Sequence, residues 1–245
     1  MERPRRTHAE ARAQMRAGIL RLGRDQLAET GAAGLSVREI ARGLGVASSA
    51  IYRHVANRDA LLTLLVVDAY TELAEAAEAA DTATEPDERL RQLATSVRAW
   101  GTANPASWSL IYGSPVPGYA APADETTPAG TRVMLQFLFI LVQGDPAARR
   151  SPRPPVSDGL AQTLSGGITE LVGQEATVGA ALAAEALAVP GFAADAVEAW
   201  TALIGLVSAE IFGQLGPELS VFGEEILGRW VAATAERFGL SSPSR

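Results

Sequence analysis

The chain has 245 residues, 47% of them hydrophobic and 20% charged, with a formal net charge of −7 and no cysteine. That length accommodates one large helical domain or a small domain joined to a larger one, and the composition is that of a globular chain with a real core. Without cysteine there are no disulfides, thiolate metal sites or cysteine nucleophiles, and His8 and His54 alone sit near no convincing partner motif for a metal site or a catalytic triad.

Met1 to Arg12 is basic but leads into no unbroken apolar stretch, so no signal peptide is visible. The apolar segments Val133–Val142 and Trp200–Val207 are too short or interrupted for a membrane span of about 20 residues and read as buried core helices. The expected location is cytoplasmic, with no membrane partner. Charge is divided along the chain: residues 1–58 hold eleven arginines against five acids, net +6, and residues 59–245 are net −13. A basic module on an acidic body is what attraction to a phosphate backbone needs.

A first helix is predicted from Thr7 to about Thr30, with Ile19, Leu20, Leu22 and Leu27 at helical spacing and Gly31 and Gly34 as stops. Ser36 with Glu39 is a capping box opening a second helix through Leu44. Gly45 ends it, and a short third helix follows over Ala47–His54. Asn57 caps a long fourth helix, Arg58–Ala80. A fifth is expected over Asp87–Ala103 and a short sixth from Asn104-Pro105 to Tyr112. The prolines between Gly113 and Pro128 predict a structured loop. Thr131–Gln143 reads as helix, and Asp145–Ser157, with four prolines, as a mobile segment. Further helices are expected over Asp158–Leu171, Glu175–Ala188, Ala194–Leu215 and Glu218–Phe238. No alternating strand pattern competes, so the fold class is all-α.

The informative stretch is Leu35–Leu65, LSVREIARGLGVASSAIYRHVANRDALLTLL. Two short helices around a glycine turn, the second rich in small polar residues, form a helix-turn-helix whose second helix can enter the major groove. Ala47, Ser48, Ser49 and Ala50 let that helix approach base edges closely, and Tyr52 reaches a thymine methyl or a phosphate. Ser48 and Ser49 could equally cap the third helix.

The segment from about Ala13 to Tyr70 resembles the DNA-binding domain of the TetR family. The residues that carry the likeness are Gly31, Ser36-Val37-Arg38-Glu39-Ile40-Ala41, Gly45-Val46, Ile51-Tyr52-Arg53-His54-Val55 and Asn57-Arg58-Asp59-Ala60-Leu61. The resemblance implies that Ser36 touches phosphate, that Arg38 reaches a guanine edge, and that Ser48, Ser49 and Tyr52 read or flank bases. It also implies that His54 and Arg58 fix phosphates. Arg38 could instead be a solvated helix arginine, and His54 could pack on the fourth helix. Arg3, Arg5 and Arg6 could form an arm reaching DNA or a solvated tail.

Further on, Trp100-Gly101, Asn104-Pro105, Trp108, Leu110-Ile111-Tyr112-Gly113 and Pro115-Val116-Pro117-Gly118-Tyr119 resemble the WHG subgroup of TetR C-terminal domains, with Asn104 where the subgroup has its histidine. Aromatic residues in a helical bundle are the default lining of a small-molecule pocket, which makes Trp100, Trp108, Tyr112, Phe137 and Phe139 the candidates; plain core is the alternative. Trp200, Ile204, Val207 and Ile211, then Phe222, Ile226 and Trp230, follow helical spacing on two segments that can pair with a symmetry mate as a four-helix bundle. The expectation is thus a DNA-binding domain over 1–57 and a helical ligand-binding and dimerisation domain over 58–245. Its partners would be operator DNA, a small-molecule effector and a second copy of the chain. No metal, cofactor or catalytic residue is expected. The alternative is a helical ligand-binding or interaction protein whose helix-turn-helix no longer reads DNA.

Overall fold

A computed structural model describes residues 8–147, 149, 155–172 and 189–240. Among these every regular element is helical: α1 His8–Thr30, a 3-10 turn Ala32–Gly34, α2 Val37–Gly43, α3 Ser48–Ile51, α4 Arg58–Ala80, α5 Pro86–Ala103, α6 Pro105–Tyr112, α7 Ala123–Gly130, α8 Arg132–Leu141, α9 Asp158–Val172, α10 Pro190–Ile211, α11 Gly216–Ser220 and α12 Gly223–Phe238. The predicted arm Arg3, Arg5 and Arg6, the predicted helix over 175–188 and residues 148 and 150–154 of the stretch expected to be mobile lie outside the described residues.

Two expectations need correction. The proline-rich stretch 113–128 is not all loop, because α7 forms with Pro128 inside it. Proline costs one backbone donor here, and the start of the helix is well held: Pro122 O accepts from Glu125 N, Thr126 N and Thr126 Oγ1 at 3.2, 3.0 and 2.9 Å, with Asp124 and Glu125 at the favourable end of the dipole. The last predicted helix, 218–238, is two. A tight turn, Phe222 N to Leu219 O at 2.9 Å, closes α11, and α12 restarts with Ile226 N on Phe222 O at 2.9 Å. The restart seats Gly223 against the Glu210 carboxylate, where a Cβ would stand 2.6 Å from it.

The chain forms two compact units, residues 1–72 with 104–129, and residues 73–103 with 130–245. In the first, Ile19, Leu20 and Leu27 of α1 meet Val37, Ile40 and Ala41 of α2, Ile51 of α3, and Leu61, Leu62 and Leu65 of α4, all buried. The chain leaves this unit within α4 and returns to it at Asn104, so that Ala106, Leu110, Val116 and Tyr119 pack on the same core. Two polar ties fasten it: Arg24 reaches Asp68 at 2.9 Å and Glu72 at 2.7 Å, and the Thr63 and Tyr119 hydroxyls meet at 3.0 Å.

In the second unit Leu90, Leu93 and Val97 of α5, Phe137 and Leu141 of α8, Leu203 and Val207 of α10, and Leu227 and Val231 of α12 are buried. Arg98 clamps Glu210 with two hydrogen bonds of 2.8 and 2.6 Å, and Arg89 clamps Asp81 at 2.8 and 2.7 Å. Such forked pairs fix orientation as well as contributing energy. The segment Trp200–Val207 lies within a longer helix, and Gly191–Ile211 is long and apolar enough to cross a membrane, at mean hydropathy 1.4. Its Phe192, Ala193, Ala196, Ala199, Leu203 and Val207 are buried in the second unit, and Asp195, Glu198 and Glu210 lie on the same helix.

Candidate nucleic-acid interface

The helix-turn-helix is built by local chemistry that aims a small set of side chains outward. Ser36 caps α2, its hydroxyl accepting from Glu39 N at 3.3 Å. The reciprocal half of the expected capping box comes from elsewhere: Ser36 N donates to Gln26 Oε1 of α1 at 2.9 Å. This ties the start of α2 to α1. At the other end Gly45 takes φ +65°, Gly45 N bonds Arg42 O at 3.0 Å and Val46 N bonds Ala41 O at 3.1 Å. That pair of bonds is the Schellman arrangement, which needs a left-handed residue where glycine stands. The turn angle between α2 and α3 follows from it.

The third helix is shorter than predicted, one turn over Ser48–Ile51 followed by turns through His54. Ile51 and Val55 anchor it, at 1% and 2% exposure. Ala47 occupies the N-cap without a side-chain bond, so the serines do not serve as caps, and both face solvent. Tyr52, 42% exposed, projects from the same turn, with Arg53 and His54 exposed beside it. Asn57 caps α4 through Oδ1, which accepts from Ala60 N at 2.8 Å.

The arginines of this unit fall into two groups. Arg21 pairs with Asp25, Arg24 with Asp68 and Glu72, and Arg58 donates to Ala32 O at 2.8 Å while standing 3.8 Å from Asp59. These hold the fold. Arg38, Arg42 and Arg53 are exposed and make no side-chain hydrogen bond or ion pair among the described residues. An exposed cation without a protein partner is ready to meet a phosphate or a base edge without first breaking a bond. The structure thus brings Arg38, Ser48, Ser49, Tyr52 and His54 together as solvent-facing groups, with Ser36 half-buried in its cap, Ala47 exposed beside them and Arg58 turned back onto the fold. Arg42 and Arg53 were absent from the sequence-based set. Arg42 could have been found from its spacing, one helical turn after Arg38 on α2.

The aromatic candidates divide between the units. Trp108, fully buried, and Tyr112 lie in the first, with ring centroids 4.7 Å apart, and Tyr70 meets Tyr112 edge-on at 6.0 Å. Burial pushes both tyrosine hydroxyls above their ordinary value. Trp100, Phe137 and Phe139 lie in the second. There Phe137 sits against Trp200 at 5.7 Å and Trp230 at 6.2 Å, so it is core between two tryptophans.

On the C-terminal hairpin Trp200, Ile204, Ile211, Ile226 and Trp230 are half-buried and Phe222 is 51% exposed. Val207, at 1%, belongs to the core rather than to an outer face. Around the turn Phe212, Leu219 and Val221 are exposed as well, Val221 by 76%.

Residues 19–65 match the family model for bacterial regulatory proteins of the TetR family, and residues 90–234 match the tetracyclin repressor-like C-terminal domain. The HTH-type transcriptional regulator Rv1816 of Mycobacterium tuberculosis is 40% identical over 219 residues, 86% of each chain, and so is the regulator Mb1846 of Mycobacterium bovis. Among solved structures, the regulatory protein SCO4313 is 26% identical, with a TM-score of 0.68 over 94% of this chain and 98% of its own. A TetR-family regulatory protein from Rhodococcus RHA1, 17% identical, shares the fold with a TM-score of 0.55 over 95% of this chain and 99% of its own.

Proposed function

The chain belongs to the TetR family and is a DNA-binding transcription regulator, and from that premise we propose that it is a repressor that leaves its operator when a small molecule binds the C-terminal domain. The observation that carries the DNA-reading part is that Arg38, Ser48, Ser49 and Tyr52 are exposed on the helix-turn-helix and their side chains make no hydrogen bond or ion pair among the described residues. Arg38 forms paired bonds to guanine O6 and N7, worth about 1–3 kcal/mol of discrimination. Ser48, Ser49 and Tyr52 contact base edges, with Ala47 allowing close approach. Ser36 and His54 position the backbone, and Arg58 holds the start of α4 to the turn at Ala32. On this reading the functional division is 1–57 for DNA and 58–245 for ligand and dimer, and the protein acts in the cytoplasm.

The dimer is supported by the apolar side chains that α10 and α12 leave half-buried, Trp200, Ile204, Ile211, Ile226 and Trp230, with exposed Phe222. Two recognition helices about 34–36 Å apart then read successive major grooves of a pseudo-palindrome. Of the aromatic candidates, Trp100 and Phe139 of the second unit are the proposed effector contacts, and the effector must bind the DNA-incompetent state more tightly, since equal affinity shifts nothing. The test is fluorescence anisotropy on DNA from beside the protein's own gene against a scrambled duplex. Specific binding that weakens in Arg38→Ala and Tyr52→Ala is expected. Full specific affinity in both variants would sink the base-reading assignment.

A further inference from the structure

A cavity of about 810 Å³ lies in the second unit, outside the residues assigned above to DNA, effector or dimer. Its walls are mixed. Val156, Leu160, Val189 and Phe192 supply apolar surface, and Arg149 and Arg237 bring two guanidinium groups to the lining, with Asp195 and Glu198. The two arginines differ in how their charge is met. Arg237 reaches Asp195 at 2.5 Å and Glu198 at 3.3 Å. Among the described residues Arg149 has no carboxylate within ion-pair distance. Its guanidinium lies over the Phe192 ring at 4.5 Å, its Nη2 makes one long bond of 3.4 Å to Gly144 O, and its Nε is buried without an acceptor. Desolvation holds it below the ordinary arginine value, with Asp145 opposing weakly. A partly buried cation without an anion is a costly arrangement unless something supplies the anion.

We propose that this cavity is a binding site for an amphipathic carboxylate, whose head pairs with Arg149 and whose apolar body lies along Val156, Leu160, Val189 and Phe192. The volume falls in the range of about 300–1,000 Å³ typical of small-molecule sites, and one charged group among apolar walls is the usual division between orientation and affinity. Arginine suits the head because its planar fork matches a carboxylate with two parallel bonds. Asp195 and Glu198 remain with Arg237, so they balance that cation and leave Arg149 to the ligand.

The experiment is calorimetric titration of the full chain, without DNA, with decanoate and 4-butylbenzoate, each against the corresponding alcohol. Each acid is expected to bind at least about tenfold more tightly than its alcohol, a margin of about 1.4 kcal/mol. Arg149→Met should erase the margin. Leu160→Trp, at a position already exposed, should block both acids while leaving the fold intact, and it keeps the question open to measurement if Arg149→Met does not fold. Equal binding of acids and alcohols, no binding of either acid, or a margin that survives Arg149→Met would overturn the proposal. Because no operator is present, this outcome is separate from whether effector binding releases DNA.

Discussion

The helix-turn-helix and the C-terminal hairpin each leave a face exposed among the described residues, and the two faces differ in kind. Around α2 and α3 the uncovered groups are cations and hydroxyls, Arg38, Arg42, Arg53, Ser48, Ser49 and Tyr52, on a scaffold anchored by buried Ile51 and Val55. Around α10 to α12 they are Phe212, Leu219, Val221 and Phe222. The first face is matched by a hydrated polyanion, where charge and hydrogen bonding decide. The second is matched by another apolar face, where area decides.

Substitutions separate the inner side of the hairpin from its outer side. The largest effect belongs to Phe137→Ala, which empties the space between Trp200 and Trp230 and should cost about 3–5 kcal/mol in urea unfolding. Unchanged stability would mean the two tryptophans are not held by this ring. Next, Phe222→Glu with Leu219→Glu changes exposed positions only. Sedimentation should report a monomer of near-native helicity, and operator affinity should fall about a hundredfold, near 2.7 kcal/mol. A variant that stays dimeric would move the interface elsewhere.

On the polar face the expected effects are smaller. Arg42→Gln and Arg53→Gln should each lower the slope of log K against log salt by about 0.9 while leaving the ratio of specific to scrambled DNA nearly unchanged. A changed ratio would promote either residue from backbone contact to base reader. The smallest effect concerns Asp81, held below the ordinary carboxylate value by its hydrogen bonds from Arg89. A lowered folded value means the pair's stabilisation is complete above the unfolded value of about 3.9 and is lost as pH falls through the folded value. Asp81→Asn should therefore flatten the acid limb of the stability profile, by about 1 kcal/mol for a half-buried pair still in reach of solvent. An unchanged limb would assign it to other carboxylates.

Local chemistry was legible in the sequence and assembly was not. The Ser36 cap, the Gly45 turn, the Asn57 cap and the bounds of α4 all depend on residues within a few positions of one another, and the structure has them. The bond from Ser36 N to Gln26 spans ten residues and joins two helices, and no short-range pattern announces it. Arg58 looked like a phosphate ligand because a cation at a helix start opposes the dipole, but its partner is a carbonyl in a turn twenty-six residues earlier. The return of the chain to the first unit at Asn104 assigns Trp108 and Tyr112 to a different unit from Phe137, a division that spacing cannot reveal. Pro128 reads as a breaker because it lacks a backbone donor, yet it stands inside α7.

The most direct measurement compares Arg38→Ala with the wild type on operator and scrambled duplexes at two salt concentrations. If the unpaired arginine reads a base, the specific-to-scrambled ratio should fall about tenfold to a hundredfold at both salts, with unfolding free energy unchanged. A uniform loss on both duplexes, or a ratio equal to the wild type's, would contradict the claim that this face reads sequence.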